Sequence, residues 1–184
     1  ADAVFAPSVD QMYPHGGTTA TTVRVEGITD MLCGSRRPGH FEGVATVVTK
    51  LLNLVGPDRA FFGEKDFQQL QVIRQMVADL SINTEVIGIA TERADDGLAL
   101  SSRNQYLNTE QRAVAPIIYQ TMTQSCQAIV EQTLSPDQAQ SHIERILTEH
   151  GFEIDYVAIC DVDSLQPITQ ETQQGVINRK LTLQ

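Results

Sequence analysis

Basic residues are scarce in this chain. Across 184 residues, 13 Lys and Arg face 23 Asp and Glu, a formal charge of −10. A phosphate backbone rewards clustered cations, so this balance excludes broad nucleic-acid binding, though not a ligand such as ATP that needs only a few local charges. Long apolar runs are missing too. The longest uncharged stretch, Ala113–Val130, carries Gln120, Thr121, Thr123, Gln124, Ser125 and Gln127, which suit a soluble helix and not a membrane span. Cys33, Cys126 and Cys160 are far apart and lack CxxC spacing, which excludes a disulfide frame or a zinc site and reads as reduced thiols of a cytoplasmic protein. No basic stretch followed by an apolar one opens the chain. It begins on Ala-Asp-Ala-Val-Phe without Met, which reads as the interior of a longer protein. No internal repeat, low-complexity segment, G-x-S-x-G elbow, Walker spacing or His/Cys pair at metal-ligand spacing is present. With 41% hydrophobic and 20% charged residues, the composition is that of a globular domain and not of collagen, a coiled-coil rod or a disordered acidic tail.

The residues that are there divide by periodicity. Ala3-Val4-Phe5, stopped by Pro7, reads as a buried strand end, Pro14–Gly17 as a turn, and Thr21–Val25 as a β-branched strand. Cys33–Phe41 (CGSRRPGHF) reads as a loop. From Gly43, the spacing of Val44, Val47, Val48, Leu51, Leu52 and Val55 predicts a helix with one buried face, ended by Gly56-Pro57. Arg59–Phe62 suits a short buried strand. A helix beginning near Asp66 follows, with Phe67, Leu70, Val77 and Leu80 as core candidates, and then a strand over Glu85–Ile89. Strands alternating with helices call for a parallel sheet with covering helices. Asp95-Asp96-Gly97 signals a turn, and Thr109–Gln132 reads as a long helix kinked at Pro116. Ser135-Pro136-Asp137 is an N-cap followed by a helix that runs to His150, with Gly151 as its stop. Ile154–Asp161 reads as a strand and the tail Gly175–Gln184 as weakly strand-like. A change of character near residues 90–95 divides the chain into domains 1–92 and 93–184.

Three constellations carry chemistry. In FFGEKDFQQ, a strand ends at Gly63 and a helix begins near Asp66, the place where open α/β sheets bind ligands. There Lys65 supplies a point charge for a phosphate, Asp66 an acceptor for a ribose hydroxyl, and Gln69 an amide for a hydroxy acid. The competing reading is an exposed turn with Asp66 as an N-cap and Lys65 solvated. In DGLALSSRN, a turn delivers Ser101, Ser102 and Arg103 in succession, two hydroxyls and a guanidinium suited to a triphosphate and its leaving pyrophosphate. The competing reading is a surface loop whose hydroxyls close local turns. In SRRPGHFEG, Arg36, Arg37 and His40 are candidates for a carboxylate or phosphate, although a structural lid or subunit contact suits them somewhat better. His15, His142 and His150 carry no functional reading.

Three long segments in this order, RPGHFEGVATVVTKLLNLVGPD, FFGEKDFQQL and DGLALSSRNQYL, resemble the pantothenate synthetase (pantoate–β-alanine ligase) family over nearly all of residues 1–165. The resemblance implies an α/β fold: the back part of a Rossmann-like nucleotidyltransferase domain, a parallel sheet with helices, plus a smaller α+β lid domain carrying the SSRN loop. It implies an ATP site lined by Gly63, Glu64, Lys65, Asp66, Glu92, Leu100, Ser101, Ser102 and Arg103. Of these, Lys65, Ser101, Ser102 and Arg103 would act in catalysis, and the Glu92 backbone would meet adenine. Gln69 would hold pantoate. ATP with Mg2+ held mainly through phosphates, pantoate and β-alanine are the implied ligands, and a cytoplasmic homodimer without nucleic-acid or membrane partners is the implied setting. No protein ligand set for a metal is implied. The family's opening strand and its His-x-Gly-His phosphate motif are not found here, so the 184 residues alone are expected to have little or no ligase activity. After Gly175 the family's C-terminal strand pair is not recognisable, and VINRKLTLQ reads as an early stop, a shifted frame or an artificial end. Two other functions fit the same residues: a non-catalytic fragment acting by association, and another adenylate-forming ligase with a different acid.

Overall fold

The computed structural model describes residues 1–16, 20–169 and 172–183. They form two compact units, one of residues 1–62 and 69–87, the other of residues 63–68 and 88–184.

The first unit holds most of a strand–helix–strand passage, whose Gly63–Gln68 and Gly88–Ile89 are grouped with the second. Strand β1 (Arg59–Gly63) leads through a 3₁₀ turn at Glu64–Asp66 to helix α4 (Phe67–Asp79), and β2 (Glu85–Ile89) returns parallel to β1. Hydrogen bonds fix where the two strands start. Thr84 Oγ1 donates to the Pro57 carbonyl at 2.8 Å, the Glu85 N–H to the Asp58 carbonyl at 2.9 Å, and Arg59 Nε pairs with Glu85 at 3.0 Å. Before them come two single turns, α1 (Val9–Met12) and α2 (Cys33–Arg36), and the long helix α3 (His40–Val55). The core joins Val25, Phe41, Ala45 and Leu52 to Val72, Ile73, Met76 and Val77, with Ala60, Phe62 and Val86 of the strands packed against it. Each large side chain withdrawn this fully contributes about 1.5–3 kcal/mol.

The second unit stacks helices on an antiparallel strand pair. Helices α5 (Thr109–Val114) and α6 (Ile117–Val130) are followed by α7 (Pro136–Glu149), which packs on α6 and on β3 (Phe152–Asp161). Strand β4 (Gly175–Leu183) runs antiparallel to β3, from Asp161 opposite Gly175 to Phe152 opposite Leu183, with one irregularity between Ile154 and Tyr156. Ile118, Ile143, Leu147, Phe152 and Val157 form its core. Among the described residues, no helix is long and apolar enough to cross a membrane.

Several expectations need correction. Ala3–Phe5 is no strand: Val4 and Phe5 are exposed, and the run has no sheet to lie against among the described residues. Thr21–Val25 joins no sheet among the described residues. Val25 is buried and the Val23 N–H donates to Thr46 Oγ1 at 2.9 Å, so the segment lies along α3, and its β-branched alternation serves packing without a neighbouring strand. The stretch Cys33–Phe41 is not a loop throughout. It holds α2, and α3 starts at His40 behind Gly39. Gly34 explains the tight path, because a Cβ there would lie 1.8 Å from the Thr29 carbonyl oxygen. Val55 and Leu80 are exposed, whereas Val72, Ile73 and Met76 are buried instead. Pro116 splits the long helix into α5 and α6, although Ala115 and Pro116 keep right-handed helical angles. Pro14–Gly16 form the expected turn, with Gly17 outside the described residues. The weakly strand-like tail is a strand, as expected, paired through Leu183; Gln184 lies outside the described residues.

Candidate functional site

The site is built from two loops of the second unit. The first begins where β1 ends at Gly63, whose extended backbone (φ −70°, ψ 133°) turns into the 3₁₀ segment Glu64–Asp66. All four residues are exposed. The second is a short hairpin. The Leu100 N–H donates to the Glu92 carbonyl at 2.8 Å and the Ala94 N–H to Leu98 at 2.9 Å, while Arg93 and Ala99 bridge antiparallel. Gly97 takes the tip at φ +91°, a conformation that favours glycine. Beyond the hairpin, a 3₁₀ helix spans Ser102–Tyr106. Ser101 Oγ accepts from the Arg103 N–H at 3.2 Å, and Asn104 Nδ2 donates to the Ala99 carbonyl at 3.0 Å.

The two loops meet. Lys65 Nζ donates to the Leu100 carbonyl at 3.3 Å, placing an ammonium at the start of the Ser101-Ser102-Arg103 run. Ser102 and Arg103 are exposed, and the Arg103 guanidinium makes no ion pair among the described residues. Lysine, a serine hydroxyl and a guanidinium are all donors, a set that suits the oxygens of a polyphosphate. Ser101 Oγ accepts locally from the Arg103 N–H, and its own hydroxyl proton is left to donate. Glu92 is exposed and its carbonyl holds the Leu100 N–H, with a second lone pair still open. Among the described residues, no three His, Cys, Asp or Glu side chains gather as a metal site.

Arg37, His40 and Gln69 belong to the first unit. Arg37 Nη1 lies 3.3 Å from His40 Nε2, and Arg37 lines a cavity of about 340 Å³ together with Arg24, Asp30, Ser35 and Glu42. Gln69 stands half-buried in the first turn of α4.

Sequence reasoning missed the supports of the second loop. The Arg93 guanidinium lies 3.7 Å from the centroid of the Tyr119 ring, and its Nη1 donates to the Gly97 carbonyl at 3.1 Å. Arg112 pairs with Asp96 at 2.5 Å. The Arg112 hydrogen bond, and after it the Leu98 N–H, holds the Asp96 carboxyl below the usual range. The Asp95-Asp96-Gly97 signal marked the turn, but no local pattern pointed to Arg93, Tyr119 or Arg112.

A parallel strand pair joined through a helix, together with an antiparallel pair, is a nucleotidyltransferase-like α/β architecture. The family model for pantoate–beta-alanine ligase matches residues 1–183, and the chain belongs to that family. The pantothenate synthetase of Pseudomonas savastanoi pv. phaseolicola is 53% identical over 174 residues, which are 95% of this chain and 62% of that protein. A crystal structure of pantothenate synthetase from Thermus thermophilus superposes with a TM-score of 0.85 at 44% identity, covering 97% of this chain and 65% of that one. The pantoate–beta-alanine ligase of Francisella tularensis, complexed with beta-gamma ATP and beta-alanine, gives 0.67 at 28% identity, over 94% and 61%. The chain thus spans less than two thirds of the length of these relatives. The family match runs past residue 165 to the end of β4, further than the three sequence segments reach.

Proposed function

We propose that the chain carries the triphosphate-gripping part of an ATP-dependent ligase that joins pantoate and β-alanine to give pantothenate, AMP and pyrophosphate. The observation that carries this reading is the Lys65–Leu100 contact, which brings the lysine corner onto the Ser-Ser-Arg loop. Family membership and the relative solved with beta-gamma ATP and beta-alanine support the choice of substrates.

In the first step, a pantoate carboxylate oxygen attacks the α-phosphorus of ATP. The bond from that phosphorus to the bridging oxygen breaks, and pyrophosphate leaves from a pantoyl adenylate. In the second, the β-alanine amine attacks the acyl carbon, loses a proton to solvent and expels AMP. Neither step asks the chain for strong acid–base work; its share is positioning and charge stabilisation. In this proposal Lys65, Ser101, Ser102 and Arg103 hold the phosphates and take up charge on the leaving pyrophosphate. Gly63, Glu64 and Asp66 lie along the nucleotide, with Gly63 and Asp66 at the ribose. The Glu92 backbone meets adenine, Leu100 closes over the triphosphate, and Gln69 holds pantoate. Arg37 and His40 remain candidates for a carboxylate or phosphate. Mg2+ rides on the phosphates. The division at 92/93 into an ATP- and pantoate-binding domain and a lid domain belongs to the same proposal, as do a cytoplasmic setting and a homodimer, the latter read directly as mass by light scattering.

Pantoate-dependent exchange of pyrophosphate into ATP tests the reading. A polypeptide of only these 184 residues is expected to show little or no exchange, because the His-x-Gly-His phosphate motif is not among them. Supplying a front segment of a relative that carries the motif is expected to raise it. In that mixture Arg103→Ala should cost about 10²–10³-fold, the loss typical of one transition-state donor. No pantoate-dependent exchange in the mixture would overturn the ligase reading.

A further inference from the structure

The hairpin that leads into Leu100 is too small to stand alone. It is held by three backbone hydrogen bonds, Leu100 N–H to Glu92, Ala94 N–H to Leu98 and Gly97 N–H to Ala94, and a two-stranded hairpin is marginal in water without outside support. The support comes from two helices. On one side Arg93 stacks on Tyr119 of α6 at 3.7 Å, while its Nη1 holds the Gly97 carbonyl across the turn. Gly97 itself lies so close to that ring that a Cβ would come within 2.9 Å of Tyr119 Cδ1. On the other side Arg112 of α5 pairs with Asp96 at the turn. The Arg93 guanidinium therefore touches the tip of the hairpin and the helix behind it at once. From Ala99, opposite Arg93, the chain passes directly into Leu100, which accepts Lys65, and on to Arg103.

We infer that Arg93, stacked on Tyr119, is a positioning residue that fixes the hairpin and so sets where Leu100–Arg103 present their donors. The inference rests on the proposed function for its consequence, the grip on a polyphosphate, and on geometry alone for the mechanical part. A guanidinium over an aromatic face is favoured by the ring quadrupole, and a lysine ammonium is not an equivalent partner there.

Hydrogen exchange and binding of tripolyphosphate, measured on the 184-residue chain, test it together. In Arg93→Met, which leaves the aromatic ring in place, the amides of Leu100 and Asn104 should exchange roughly 3- to 30-fold faster, while those of α7 keep the wild-type rate. Tyr119→Leu should do the same and Tyr119→Phe, which keeps the π face, should restore protection. Unchanged exchange at Leu100 and Asn104 in both Arg93→Met and Tyr119→Leu overturns the inference, and so does acceleration spread equally through α7, which marks a general loss of fold. Tripolyphosphate affinity should fall by a similar factor in Arg93→Met, whereas adenosine affinity should not move. Arg103→Ala separates the two readings. If it weakens tripolyphosphate binding and Arg93→Met does not, the positioning role fails and the function stands. If Arg103→Ala changes nothing, the phosphate grip fails, and the exchange rates alone decide whether Arg93 holds the loop.

Discussion

Arg179 is a residue whose surroundings fit it poorly. It stands on β4 opposite Val157, and its Nε is enclosed with no hydrogen-bond partner among the described residues. Burial, and after it the like charge of Arg93, pushes its guanidinium below the ordinary arginine value. Arginine does not give up its proton in a protein, so the charge stays and the molecule bears the cost. Arg179→Met keeps the stem and removes the unsatisfied donor. It should raise the free energy of unfolding by about 1–3 kcal/mol, the penalty of an unsatisfied buried polar group. A urea melt checks this, and an unchanged or lower midpoint would show that the stem's polar end is better accommodated than its enclosed Nε suggests.

At the scale of elements, α7 is held by chemistry written beside it. Ser135 Oγ accepts from the Gln138 N–H at 3.2 Å, and Gln138 Oε1 accepts from the Ser135 N–H at 2.8 Å, a reciprocal box with Pro136 at the first helical position. Ser135→Ala should lower stability by about 1 kcal/mol, read as a shifted denaturation midpoint with an unchanged slope. This cap was legible because every partner lies within one turn, and Glu85–Ile89 was legible because a short apolar run between turn signals suits a strand. Thr21–Val25 was misread for the opposite reason: alternation reports which side chains face inward, not whether a second strand lies alongside. At the site, the two loops announced themselves by residue type, and their meeting at Lys65 and Leu100 closes a sequence gap that only the fold can span. Tyr119 stayed hidden because an aromatic on a helix face gives no sign that it faces a hairpin.

The molecule as a whole is acidic, and two of its carboxylates are tied into the second unit. Asp96 is held below its ordinary value chiefly by Arg112, and Asp161 chiefly by the Ser164 N–H, with the Ser164 hydroxyl next. Depressed folded values mean that the unfolded chain takes up protons first. The stabilisation is therefore complete above the unfolded carboxylate range and is lost as pH falls through the lower folded values. Acid titration of the Asp96→Asn, Asp161→Asn double variant should show a shallower decline in stability below about pH 4 than wild type, from a lower starting level. Parallel curves would mean that these two ties do not shape the acid limb.

Helix α5 is six residues long, well short of the dozen or so at which an isolated helix becomes even marginal in water. Beyond its own Asn108–Gln111 capping box, its order is borrowed: from the continuing backbone at Pro116 on one side and from Arg112 reaching Asp96 on the other. Such a segment behaves as a thermal fuse. On warming it should fray ahead of both cores, and because its arginine is also the hairpin's outer tether, the first corner of the molecule to soften would be the one that aims Arg103.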